Sequence, residues 1–253
     1  MYKLVLIRHG QSTWNKKGLF TGWVDVPLTK QGRDEAMEAS RLLRQKKFLF
    51  DLAFTSTLKR ANETLNIILK RLDLKKIPVK IDWRLNERHY GDLEGLSKKA
   101  MAEKFGEEQV HIWRRSYAVR PPKIRPGNRY FEGHIPQYKE LMTVIGKKNF
   151  PLAESLQDVV KRVEPCFKKE ITPAILANKK VIVAASGNSL RVLIKYLDKL
   201  SKTEVSNLDI PTGVPLVYVL DKNLRPIKHY YLGDQKKIQA AIRAVRNQGK
   251  III

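Results

Sequence analysis

The sequence predicts an α/β fold of three layers, with a mostly parallel central sheet flanked by helices. Short apolar runs alternate with amphipathic stretches along most of the chain. Two of those runs, at 3–7 and 179–185, read as buried strands, and each leads straight into a polar turn and a helical segment.

In order, KLVLI (3–7) is the first strand, and TKQGRDEAMEASRLLRQKK (29–47) is a helix with Thr29 as its N-cap. DLAFTS (51–56) and PVKID (78–82) are strands, with a helix over 58–73 between them. Residues 154–178 read as helical, followed by the strand KKVIVAA (179–185) and another helix. The strands VPLVYVLD (214–221) and PIKHYYL (226–232) precede a terminal helix. One stretch departs from the alternation: RPPKIRPGNRYFEGHIP (120–136) is rich in Pro and Arg, with short helical pieces on either side. The reading is therefore one domain over 1–253 with an irregular insertion at about 84–150 that covers the site.

With 253 residues, 43% of them hydrophobic, the chain can bury a sizeable core. A lone cysteine, Cys166, excludes an intrachain disulfide framework, and no apolar run approaches the roughly 20 residues of a membrane span. MYKLVLIRHG has too short an apolar run for a signal peptide, so a cytoplasmic protein without membrane attachment is expected. The net charge of +24 steers anions toward the chain. Its Lys and Arg are scattered through helical stretches such as 43–47 and 236–250, and no nucleic-acid-binding module is visible, so no specific nucleic-acid partner is expected.

RHGQSTWN (8–15) places Arg8 and His9 at the carboxyl end of the first strand, where parallel sheets collect ligands. SGNSLR (186–191) opens a helix after another buried strand, and free N–H groups there favour an anion. Arg60 follows a strand, LNERHYGDLEGLSKKA (85–100) holds Glu87, Tyr90 and Lys98, and WRRSY (113–117) holds Arg114 and Arg115. Each alone fits a structural role. Together they supply a histidine nucleophile, guanidinium groups for phosphate oxygens, a carboxylate for proton transfer and cations for an acidic substrate. No phosphate-binding G-x-x-x-x-G-K-[ST] loop and no H-E-x-x-H motif occur, and Cys166 lacks the arginine of a cysteine-based phosphatase; no metal is expected.

LIRHGQSTWN, LFTGWVDVPLT, TSTLKRA, LNERHYGDLEGLSK, WRRSY, ESLQDVVKRVEPCF, GNSLRVLIKYL and IPTGVPLVYVLDKNLRPIKHYYLGD occur in the order found in one family. The chain resembles the cofactor-dependent phosphoglycerate mutases of the histidine phosphatase superfamily, from residue 3 to about 250. The resemblance implies interconversion of 3-phosphoglycerate and 2-phosphoglycerate in glycolysis and gluconeogenesis, primed by 2,3-bisphosphoglycerate, in a homodimer or homotetramer. It implies that His9 is the phosphorylated nucleophile, that Arg8, Arg60 and Asn15 hold the phosphoryl group, and that Glu87 is the acid and base. Ser12, Thr21, Gly22, Tyr90, Lys98, Arg114, Arg115, Gly187 and Asn188 would bind the rest of the substrate.

One position departs from the family. Where AHGNSL is usual, this chain has ASGNSL, so Ser186 stands in place of the second catalytic histidine. A serine hydroxyl donates one hydrogen bond but carries no charge. None of His89, His111, His134 and His229 lies in a segment that would substitute for it. Three readings stay open: a change introduced to disable turnover, a natural mutase that is slow or shifted toward phosphatase activity, and a protein that binds phosphoglycerates or other polyanions without turnover. A broad phosphomonoesterase using His9 is the alternative within enzymes.

Overall fold

Strand β1 (Tyr2–Arg8) forms because residues 4–7 are apolar on both faces and find full burial only inside a sheet. The computed structural model describes residues 1–131 and 136–248. In it β2 (Leu52–Thr55), β3 (Val79–Ile81), β4 (Val181–Ala185), β5 (Pro215–Leu220) and β6 (Pro226–Tyr231) complete a sheet of order β3-β2-β4-β1-β5-β6. The first four strands run parallel; β5 is antiparallel to β1, and β6 to β5. The sheet is thus mixed and mostly parallel, as the sequence predicts.

The helices begin where side chains satisfy their first N–H groups. Ser12 caps α1 (Thr13–Lys16), and Thr29 caps α2 (Lys30–Gln45) by accepting the Gly32 N–H at 3.0 Å. Helix α3 (Lys59–Arg71) follows β2. The stretch 84–150 is more helical than its composition suggests. It contains α4 (Lys98–Phe105), capped by Ser97, then α5 (Glu107–Arg115) and α6 (Pro136–Ile145). Its irregular part follows α5, and residues 132–135, with His134, lie outside the described residues, as does the tail 249–253.

The single helix expected over 154–178 is interrupted. Helix α7 (Leu156–Cys166) passes into a π-helical turn (Phe167–Ile171) before α8 (Thr172–Leu176). Pro165 and Pro173 explain it, because neither can donate to the carbonyl four residues back, and a wider turn accommodates the fault. Helices α9 (Gly187–Asp198), α10 (Lys202–Asn207) and α11 (Gln235–Asn247) complete the chain's described part.

Alternate residues of the central strands feed two cores. Leu4, Leu6, Val181 and Val183 pack with Val159 and Val163 of α7 and Leu190 and Leu193 of α9. Val5, Ile7, Ile182 and Ala184 pack on the other face with Leu43 of α2 and Leu65 and Ile68 of α3. Each fully buried Leu, Ile or Val contributes about 1.5–3 kcal/mol, so truncating Leu6 to Ala costs about 2–5 kcal/mol. The chain leaves β1 toward α2 on one face and leaves β4 toward α9 on the other, which opens a crevice at their adjacent carboxyl ends. Among the described residues no helix is long and apolar enough to cross a membrane.

Candidate active site

Parallel pairing sets Arg8 opposite Ala185, and the His9 N–H donates to the Ala185 carbonyl at 3.1 Å. The two motifs that the sequence leaves 177 positions apart therefore meet at one crevice, His9 beside Ser186. Gly10 lets the chain turn away immediately: a Cβ there would stand 2.1 Å from the Gly32 carbonyl oxygen on α2.

His9 is buried and bonded at both ring nitrogens. Nδ1 lies 2.8 Å from the Gly10 carbonyl oxygen, so it carries the proton and donates, while Nε2 accepts from Arg60 Nε at 3.2 Å. Burial, then the charges of Arg60 and Arg8, hold the imidazole well below its ordinary value. A neutral ring with its lone pair on Nε2 is the nucleophilic form. Arg60 is itself fixed by donating from Nη1 to the Val24 carbonyl at 2.9 Å and from Nη2 to the Gly22 carbonyl at 2.7 Å.

His9 faces a cavity of about 70 Å³ lined by Arg8, Arg60, Lys98, Arg114, Arg115 and Arg191 against one carboxylate, Glu87. Burial, then Arg114 and Arg8, press the Lys98 ammonium well below its usual range. Burial opposes ionisation of Glu87, but the Arg88 N–H, the Asn188 amide, Arg60 and Arg8 outweigh it and keep the carboxyl below the ordinary value. Those two hydrogen bonds reach Oε1 at 2.7 and 2.5 Å. Such a cavity is built for a small polyanion, with one group able to move a proton.

Thr21 and Gly22 line the cavity from a loop that Glu94 ties down. Glu94 Oε1 accepts the N–H groups of Trp23 and Tyr90, each at 3.0 Å, and so joins the loop before Trp23 to the one that carries Glu87. Gly22 has φ +53°, and a Cβ there would lie 1.7 Å from Glu94 Oε1. Asn15 and Tyr90 also line the cavity, as do Gly187 and Asn188 at the start of α9.

Two predicted site residues do not line it. Ser12 is fully buried and serves as the cap of α1, its Oγ accepting the Asn15 N–H at 3.1 Å while Asn15 Oδ1 accepts the Ser12 N–H. Ser186 is fully buried at the N-terminus of α9, and its Oγ makes no hydrogen bond among the described residues. Arg8 Nε is likewise unpartnered, next to where a Cβ on Gly187 would project, while Arg8 Nη1 donates to the Ile210 carbonyl at 2.7 Å. Sequence reasoning missed Arg191, although it ends the quoted SGNSLR motif. It also missed Val245 and Gln248, where Gln248 Oε1 accepts from Lys98 Nζ at 3.2 Å and its carbonyl accepts from Arg114. Amphipathic periodicity places α11 on a surface and says nothing about which surface. Among the described residues no cluster of three His, Cys, Asp or Glu is placed to hold a metal.

Comparison with known proteins gives the chain's family. Residues 4–134 match the histidine phosphatase superfamily, branch 1. The 2,3-bisphosphoglycerate-dependent phosphoglycerate mutase of Borreliella afzelii is 56% identical over 251 residues, spanning 99% of this chain and 100% of that protein. The enzyme of the same name from Borreliella burgdorferi is 55% identical with the same coverage. In fold, a mycobacterial glucosyl-3-phosphoglycerate phosphatase superposes with a TM-score of 0.67 at 22% identity, covering 91% of this chain and 97% of that one. The α-ribazole phosphatase of Shigella flexneri superposes at 0.66 and 22% identity, covering 92% and 96%. With more than half its positions shared over full length, the chain belongs to the 2,3-bisphosphoglycerate-dependent phosphoglycerate mutases of the histidine phosphatase superfamily.

Proposed function

We propose that the chain interconverts 3-phosphoglycerate and 2-phosphoglycerate in glycolysis and gluconeogenesis, through a phosphohistidine at His9. The observation that carries this reading is the neutral His9, its Nε2 accepting from Arg60, in the wall of a cavity that sets six basic side chains around Glu87. The unpartnered Arg8 Nε, buried beside the cavity, fits an anion rich in oxygen acceptors. 2,3-Bisphosphoglycerate supplies the phosphoryl group that primes His9. Arg8 and Arg60 steady the charge on that group, and Asn15 holds it with the amide end left free by its capping bond. Lys98, Arg114 and Arg115 balance the remaining phosphate and carboxylate.

Glu87 rests as a carboxylate. It accepts the proton of the attacking glycerate hydroxyl as that oxygen takes the phosphoryl group from Nε2. It returns the proton to the other glycerate oxygen when Nε2 takes back the second phosphoryl group, so His9 ends phosphorylated. Ser186 stands where the family has a histidine but does not line the cavity, and the loss of that charged donor lowers the rate about 10²- to 10³-fold.

The segment 84–150 works with the rest of 1–253 as one unit, since Lys98, Arg114 and Arg115 come from it. Self-association is supported by edge strand β3, where Val79 and Ile81 are 39% and 61% exposed. A cytoplasmic location fits an enzyme of free phosphoglycerates.

The test is incubation with labelled 2,3-bisphosphoglycerate followed by 3-phosphoglycerate turnover. The expected result is an acid-labile, base-stable label that Asn replacement of His9 abolishes, with turnover favouring phosphoglycerate over unrelated esters. A label that survives His9→Asn, or equal hydrolysis of unrelated phosphate esters, overturns the reading.

A further inference from the structure

The loop between α10 and β5 contains a buried carboxylate that the reaction described above does not use. Asp209 Oδ1 accepts from Arg115 Nη2 at 2.5 Å and lies 3.9 Å from Arg191 Nη2, while Oδ2 accepts from Arg246 Nε at 3.1 Å. Its side chain is 2% exposed. The three arginines stand on different elements, α5, α9 and α11, and Arg115 and Arg191 both line the substrate cavity. The neighbouring Leu208 carbonyl accepts from Arg191 Nε at 2.7 Å. Arg191 Nη1 in turn donates to Asn188 Oδ1 at 3.2 Å, and Asn188 Nδ2 donates to Glu87 Oε1. A continuous chain of polar contacts therefore runs from α11 through Asp209 to the carboxylate that moves the proton.

We propose that Asp209 is a positioning residue for the mutase reaction, holding Arg115 and Arg191 at the angle that receives the anionic substrate. The inference rests on the phosphoglycerate reading. The physical need is plain: two guanidinium groups side by side in a buried wall repel each other, and Arg191 is held well below its usual range by burial and then by Arg115. A carboxylate between them offsets that repulsion: Oδ1 accepts from Arg115 and stands within ion-pair reach of Arg191, whose fork is aimed by the Leu208 carbonyl and Asn188. Arg246 adds a third, more exposed contact that seats α11 beside the cavity, next to the lining residues Val245 and Gln248.

The experiment is calorimetric titration of the full chain with 2,3-bisphosphoglycerate, which needs no turnover. Asp209→Asn is expected to raise Kd about 30-fold, as loss of one partner of a buried charge pair does. Asp209→Glu is expected to recover part of this. In a double-mutant cycle on an Arg115→Ala background, Asp209→Asn is expected to raise Kd less than about fivefold, because the group it acts through is gone. An unchanged Kd in Asp209→Asn, or the same increment on both backgrounds, overturns the proposal. Should Asp209→Asn fail to fold, Arg246→Glu alters an exposed side chain and sets a second carboxylate against Asp209. It is expected to raise Kd about fivefold, and an unchanged Kd overturns the proposal equally. If the unsubstituted chain does not bind the ligand, the functional reading falls, and the inference with it.

Discussion

Glu94→Gln isolates one buried proton. Glu94 is 2% exposed, and its Oε2 makes no hydrogen bond among the described residues. Burial pushes the carboxyl from an ordinary 4.5 up to about 8, against the pull of the Trp23 and Tyr90 N–H groups. The folded chain thus binds this proton more tightly than the unfolded chain. Stability is highest below the unfolded value and is lost as pH rises from about 4.5 through about 8. At about 1.36 kcal/mol per pH unit the loss approaches roughly 4–5 kcal/mol. Glutamine keeps the acceptor for both N–H groups and has no proton to lose, so its stability lacks this decline. A constant offset of about 1–3 kcal/mol is expected, because the amide NH₂ replaces a carboxyl oxygen that has no partner.

The assay is urea unfolding of both chains at half-unit steps from pH 4 to 9. Subtraction removes what the chains share; His89, whose Nδ1 stands 3.2 Å from Glu94 Oε1, has the opposite slope and acts below pH 6.5. Burial and then Arg162 lower that imidazole from 6.5 to about 3, so its contribution to stability is lost as pH falls across that window. The difference between the chains should grow in favour of the Glu94→Gln variant by roughly 3.5 kcal/mol between pH 5 and 8. Parallel curves over that range would refute a buried, neutral Glu94.

Gly10→Ala should cost about 3 kcal/mol or more in the same assay, because the new methyl meets the Gly32 backbone carbonyl at 2.1 Å and not a movable side chain. Glu87→Gln should lower kcat about 10²- to 10⁴-fold while changing KM far less, since the amide still fills the site but accepts no proton; an equal fall in ligand affinity would argue that Glu87 only binds. Binding of 2,3-bisphosphoglycerate should shift the proton balance toward uptake, because the ligand's negative charge raises Lys98 and His9 from their depressed values. Calorimetry in two buffers of different ionisation enthalpy reads this directly, and proton release would contradict it.

Much of this was legible in the sequence. Unalternated apolar runs marked β1 and β4, and the polar residues after each marked the crevice, because strands buried on both faces have to sit at the centre of a parallel sheet. What stayed hidden depends on contacts distant in sequence. Arg191 reads as one more helical arginine until Asp209 and Asn188 are seen beside it. The resemblance implies that Arg60 holds the phosphoryl group; what the sequence does not show is that two of its nitrogens are spent on the Gly22 and Val24 carbonyls and that it meets His9 through Nε. Ser12 illustrates the opposite case. The resemblance puts it in the substrate set, and the structure spends its hydroxyl on capping α1. The π-helical turn before Pro173 was signalled by the two prolines, though periodicity alone carried the helix across them.

We read His9 as working on an intact phosphoryl-transfer site whose one weakness is the neutral Ser186. The most direct test compares turnover of 3-phosphoglycerate, primed with 2,3-bisphosphoglycerate, in this chain and in its Ser186→His variant. Histidine is expected to raise the rate at least about 10²-fold, since a longer, charged donor then reaches toward the moving phosphoryl group. Equal rates in the two proteins would contradict it.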